Sequence, residues 1–143
     1  MKDLDLIEIV REFSAPPERV FDAWMVRANW AAWIGPEGIT CTVEDMDPTI
    51  GGSYLLRMQL PDGVEMLVTG KYLLLDRPNR IEFSWGNAKT GTQSQVTLTF
   101  RAVPRGTEMV LQHAGPLTPA DQLSVKNGWQ SALNKLERFV EEK

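Results

Sequence analysis

His113 is the one imidazole in the chain and Cys41 the one thiol, so acid–base or nucleophilic chemistry near neutral pH has few groups to draw on. A general base needs an orienting acid and a substrate proton within hydrogen-bond reach. The strand carrying His113 supplies Met109 and Leu111 on the same face instead. His113 therefore reads first as a buried imidazole satisfied by a neighbouring carboxyl or carbonyl, and second as a group touching a bound ligand. Cys41 lies in an ordinary strand pattern, Gly38-Ile39-Thr40-Cys41-Thr42, and reads as a structural thiol. A lone cysteine makes no internal disulfide, and one histidine without clustered carboxylates makes no typical metal shell. No metal, cofactor or catalytic residue is expected.

Arg57, Glu65 and Glu82 also sit in strand patterns, and alternation puts them opposite the apolar side chains, facing solvent. Were one of them to turn inward, it would demand a partner and become an anchor for a polar ligand head. The aromatic and sulfur-bearing residues point elsewhere. Five tryptophans in 143 residues offer large apolar area with one donor each. Trp24 and Trp129 read first as packing. Trp33, Trp85, Tyr54, Tyr72 and Phe83, with the flexible Met58, Met66 and Met109, are candidates for an adaptable apolar wall. His113 and Trp129 complete that candidate set.

The elements that must position these residues follow from periodicity. Leu4 to Phe13 suits a strand, and Ala15-Pro16-Pro17-Glu18 ends it, with Pro17 well placed in a first helical turn. Val20, Phe21 and Trp24 form one apolar stripe of a short helix, and Asn29 to Trp33 forms a second helical segment closed by Gly35-Pro36. From Ile39 the pattern becomes a meander, with a hairpin turn at Pro61-Asp62-Gly63 between Ser53–Leu60 and Val64–Leu75. Ile81–Trp85, Gln95–Arg101 and Thr107–His113 follow, giving six strands after the helices. Alternation groups Met66, Val68, Gly70, Tyr72 and Leu74 on one face, where Gly70 leaves room for a bend or a close neighbour. Thr118-Pro119-Ala120-Asp121 then starts a helix of about 24 residues and about 36 Å, with Thr118 as its N-cap. Leu123, Trp129, Leu133, Leu136 and Val140 mark its apolar side, and the only long apolar surface left to cover that side is the concave face of the sheet.

Composition sets the class. Hydrophobic residues at 43% and charged residues at 24% are ordinary for a globular chain, and the length is that of one domain over 1–143. A net charge of −4 without a basic run argues against nucleic acid as a partner. No apolar run reaches the roughly 20 residues of a membrane span, and Met1-Lys2-Asp3-Leu4-Asp5 is not the start of a signal peptide, so no membrane and a cytoplasmic location are expected.

Several ordered pieces then carry a resemblance: Arg11-Glu12-Phe13-Ser14-Ala15-Pro16-Pro17-Glu18-Arg19-Val20-Phe21-Asp22-Ala23-Trp24, Trp33, Gly35-Pro36, Gly51-Gly52-Ser53-Tyr54, Asp62-Gly63 and Gly70-Lys71-Tyr72. Pro78-Asn79-Arg80-Ile81, Val96-Thr97-Leu98-Thr99-Phe100, Gly106-Thr107-Glu108-Met109, His113 and Gly128-Trp129 continue the series. Over nearly its whole length the chain resembles the START-like (SRPBCC), helix-grip proteins related to the C-terminal domain of the activator of heat-shock protein 90 ATPase, in their stand-alone bacterial form. The resemblance implies an α+β fold of order β-α-α-β-β-β-β-β-β-α, a curved antiparallel sheet of about seven strands around a long C-terminal helix. It also implies a cavity between sheet and helix for a lipid, polyketide or similar small apolar molecule. A homodimer, a chaperone partner with a link to the stress response, and a cyclase or hydrolase activity on pocket polar residues are the other roles it brings with it. Fold alone does not choose among them.

Overall fold

A computed structural model describes residues 5–91, 93–115 and 119–141. The chain opens with strand β1 (Asp5–Phe13) and two short helices, α1 (Pro17–Met25) and α2 (Arg27–Trp33). Six strands follow: β2 (Thr40–Met46), β3 (Ser53–Gln59), β4 (Glu65–Asp76), β5 (Arg80–Asn87), β6 (Gln93–Val103) and β7 (Gly106–Gly115). The long helix α3 (Pro119–Glu141) closes the order, which is the α+β helix-grip order expected from the sequence. The N-cap expected at Thr118 lies outside the described residues.

All seven strands join one antiparallel sheet in the order β1-β7-β6-β5-β4-β3-β2. Consecutive strands from β2 to β7 are neighbours because short turns link them, and β1 returns to pair with β7 at the far edge. Alternation sorts the side chains: Tyr54, Leu56 and Met58 on β3, and Val96, Leu98 and Phe100 on β6, are buried, while their neighbours face outward. Arg57 lies on the outer face with Glu65 at 2.8 Å and Glu44 at 3.5 Å, and Glu82 is paired outside with Arg80 at 2.7 Å.

Pro17 at the start of α1 fills a position that needs no donor, and the stripe Val20, Phe21 and Trp24 is buried as its spacing requires. One extended residue, Val26, separates α1 from α2, so the two short helices turn without a loop. Helix α3 lies over the inner face with Trp129, Ala132, Leu133, Leu136 and Val140 buried. Its C-terminal end is held by Arg19 to the Val140 carbonyl at 3.2 Å and by Arg105 to the Glu141 carboxylate at 3.2 Å.

Two side-chain assignments change. Leu123 is 64% exposed. At 100° per residue it lies far round the helix from Leu136, and Val125 takes the inward position instead. On β4 the register shifts between Tyr72 and Leu74, so beyond this bulge Leu75 rather than Leu74 pairs with Ile81 and packs on the core.

Gly70 is the tightest point of the sheet. A Cβ there would lie 1.9 Å from the Ser84 carbonyl oxygen and 2.7 Å from the Tyr54 hydroxyl. That space is occupied by the 2.6 Å hydrogen bond from Tyr54 Oη to the Ser84 carbonyl. The glycine is thus explained by close approach of a neighbour.

Candidate functional site

The first half of α3 does not touch the sheet everywhere. Beneath it lies a cavity of about 500 Å³, within the range of about 300–1,000 Å³ typical of small-molecule sites. Its floor comes from β3 to β5, with Met58, Met66 and Val68, and Trp85 to Asn87, and from Leu60 just beyond β3. Ser94 of β6 and His113 of β7 close one side, and Ile34 to Pro36 with Ile39 close the other. The roof is α3 itself, through Ser124, Val125, Gly128, Trp129 and Ala132. Thr90 and Ser124 line the cavity and are exposed, so it reaches the surface between the β5–β6 turn and the start of α3.

Small or absent side chains keep the space open. Gly128 sits inside a helix, where glycine costs about 1 kcal/mol relative to alanine. A Cβ there would meet only Pro36 Cγ, at 3.7 Å, so packing does not demand glycine. Gly35 has the opposite character. Its φ of +91° and the 2.8 Å that would separate a Cβ from Cys41 Cβ let the chain turn tightly over β2 and present Pro36 to the cavity.

Of the polar groups that line the cavity, His113 is buried, 1% exposed. The Trp129 indole N–H donates to its Nδ1 at 3.0 Å, and Nε2 lies 2.6 Å from Ser94 Oγ. Since Nδ1 accepts, the neutral ring carries its proton on Nε2 and donates it to Ser94. The Ser94 hydroxyl in turn donates a hydrogen bond to the Trp85 carbonyl at 2.9 Å. The result is a one-way chain, indole to imidazole to hydroxyl to carbonyl, in which every donor is used. Burial lowers the His113 pKa from 6.5 to about 4, which keeps the ring neutral at physiological pH. A satisfying partner was expected among carboxyls and carbonyls; a hydroxyl and an indole fill the role.

This geometry limits the chemistry. A serine nucleophile activated by histidine needs a bare nitrogen facing Oγ and a hydrogen-bond acceptor behind the ring. Here the nitrogen facing Ser94 bears the proton and the group behind the ring is a donor. Cys41 offers no alternative. Burial pushes its thiol up to about 11, and it does not line the cavity. Among the described residues no three His, Cys, Asp or Glu side chains gather where they could hold a metal ion.

Of the candidate wall residues, Met58, Met66, Trp85, His113 and Trp129 line the cavity. The rings of Trp85, His113 and Trp129 pack together, Trp85 tilted against Trp129 at 5.1 Å and His113 edge-on to each indole at 6.2 Å. Trp33, Tyr54, Tyr72, Phe83 and Met109 lie in the packed core and do not line it. Trp33 donates to the Ala23 carbonyl at 2.9 Å and meets Trp24 edge-on at 4.6 Å, while Tyr54, Tyr72 and Phe83 form a continuous aromatic cluster. The sequence reading did not single out Asn87, Ser94 or Gly128 for this site. Gly128 had a readable signal, a glycine inside an otherwise strong helix, whereas Asn87 and Ser94 looked like ordinary polar residues beside a turn.

Among the described residues no helix is long and apolar enough to cross a membrane. No curated protein matches the chain. Solved structures do. A protein from Chromobacterium violaceum is 28% identical with a TM-score of 0.88, the match covering 96% of this chain and 98% of that one. A solution structure from Staphylococcus epidermidis is 29% identical with a TM-score of 0.81, covering 98% and 92%. The AHSA1 protein from Silicibacter pomeroyi is 26% identical with a TM-score of 0.80, covering 94% and 96%. The family described as activator of Hsp90 ATPase homolog 1-like protein matches residues 14–141, and with that span of sequence on a helix-grip fold the chain belongs to this family.

Proposed function

We propose that the protein binds a small, largely apolar molecule in the cavity between the sheet and the first half of α3, and performs no chemistry on it. The observation that carries this reading is the cavity itself, about 500 Å³ of apolar-lined space that reaches the surface and is roofed by a glycine the helix would not otherwise choose. The family fits it, since START-like proteins commonly bind hydrophobic ligands. The hydrogen-bond chain through His113 favours binding over catalysis, because its direction leaves no base facing the cavity.

Titration with N-phenyl-1-naphthylamine tests the reading. Saturable one-site binding is expected, with enhanced probe emission and transfer from Trp85 and Trp129. Gly128→Leu, which directs a side chain into the roof of the cavity, should abolish this while the protein remains folded by circular dichroism. Absence of saturable binding to the wild-type chain, or undiminished binding to Gly128→Leu, would remove the proposal.

A further inference from the structure

We propose that the cavity selects an uncharged ligand bearing a hydrogen-bond acceptor, a ketone, ester, ether or amide oxygen, and that the side-chain amide of Asn87 holds that acceptor near the mouth. The inference rests on the ligand-binding reading above and specifies which molecules satisfy it.

Charge comes first. None of the described residues lining the cavity carries a charged side chain. Lys126, next to Val125 in the roof, is exposed and does not line the space, and Lys135 turns its Nζ to the Ile34 carbonyl at 3.5 Å. His113, the titratable group in the wall, already spends both ring nitrogens on Trp129 and Ser94. A carboxylate or ammonium drawn into this cavity would lose its hydration and gain no counter-ion, a penalty of several kcal/mol. The wall therefore discriminates against ions by what it withholds.

Polarity comes second. His113 and Ser94 donate within the chain ending at the Trp85 carbonyl, so neither has a proton left for a ligand. Asn87 differs. Its Oδ1 accepts from the backbone N–H of Lys89 at 2.9 Å and of Thr90 at 3.2 Å, which fixes the amide with its oxygen toward the turn. The Nδ2 protons then point away from the turn and have no partner among the described residues. The backbone beneath is fixed too, because Asn87 pairs with Val68 and the next amide, Ala88, donates to the Leu67 carbonyl at 2.9 Å. A rigid, half-buried donor without a partner beside an apolar cavity matches a ligand that brings an acceptor.

Two matched pairs of probes test this. N-phenyl-1-naphthylamine and its 8-sulfonate share one aromatic frame and differ in charge. The sulfonate is expected to bind at least about tenfold more weakly, since its charge finds no partner. 2-Acetylnaphthalene and 2-ethylnaphthalene, measured by displacement of the first probe, differ in the acceptor. On Asn87→Asp, which keeps the oxygen that accepts from Lys89 and Thr90 but has no proton to give, the ketone-to-hydrocarbon affinity ratio should fall about fivefold or more. Equal binding of the sulfonate and its neutral parent, or an unchanged ratio on Asn87→Asp, overturns the inference while leaving the cavity a binding site. If none of the four probes saturates the wild-type protein, the binding reading falls and takes this inference with it.

Discussion

The two halves of α3 lie over the same sheet and meet it differently. From Leu133 to Val140 the inward side chains are large and fully buried, with Leu133, Leu136 and Val140 at 0% exposure. From Ser124 to Ala132 the inward side is mostly small, and about 500 Å³ of space lies beneath it. A helix packed to crystal-like density along its whole length would be more stable, since voids forfeit both dispersion and burial. The difference shows stability concentrated at one end of the helix and receptor geometry at the other. Trp129 and His113 mark the boundary, buried as in the packed half yet forming part of the cavity wall.

The largest effect is expected where packing is complete. Leu136→Ala should cost about 2–5 kcal/mol, the range for deleting a leucine from a dense core, with naphthylamine affinity unchanged in the folded fraction. Urea unfolding of the two proteins measures it. A cost below about 1 kcal/mol would mean that the C-terminal half is as loose as the other.

The boundary itself titrates. His113 has its pKa lowered to about 4 in the folded protein, against 6.5 for an unperturbed histidine. As pH falls the unfolded chain takes up this proton first, so the contribution to stability is complete above pH 6.5, shrinks between 6.5 and 4, and is flat below. The full loss is roughly 3 kcal/mol, seen as the pH-dependent difference in unfolding free energy between wild type and His113→Gln. Nitrogen NMR of the wild-type ring should show Nδ1 as the bare nitrogen at neutral pH. A ring that titrates near 6.5 would show that water fills the cavity up to the boundary.

Much of this arrangement was legible in the sequence. Hairpin turns such as Pro61-Asp62-Gly63 and the stripe through Leu133, Leu136 and Val140 report local physics, and local physics decides where elements start, stop and face. Depth along the sheet is another matter. Tyr54 and Met58 share one face of β3 by alternation, yet Tyr54 lies in the packed core and Met58 lines the cavity. A period of two tells which side a residue takes, not which end of the helix covers it. The bulge that exchanges Leu74 for Leu75 is hidden for the same reason, because an extra residue in one strand is set by the partner strand. The hydrogen bonds through His113 join residues 94, 113 and 129, which only the folded topology brings together.

Two glycines carry the comparison to single atoms, and the crowded one comes next in size. Gly70→Ala would press a methyl group onto the Ser84 carbonyl and the Tyr54 hydroxyl, contacts that overpacking data place at about 3 kcal/mol. The 2.6 Å Tyr54 to Ser84 bond should break with it. A thermal melt reads the loss. An alanine tolerated at position 70 would show that the sheet can open there without cost.

Gly128→Ala should give the smallest change, with opposite sign. Its Cβ would meet only Pro36 Cγ at an ordinary 3.7 Å, so the methyl group enters without strain. Helix propensity then works unopposed, and the variant should gain about 0.5–1 kcal/mol. The same methyl group occupies part of the roof, so naphthylamine affinity should fall, by less than with leucine at this position. Stability and binding would then move in opposite directions on one substitution, as expected of a residue whose helix cost is tolerated for the space it leaves. If Gly128→Ala lost stability instead, glycine would be there for packing, and the hollow half of α3 would differ from the packed half in degree only.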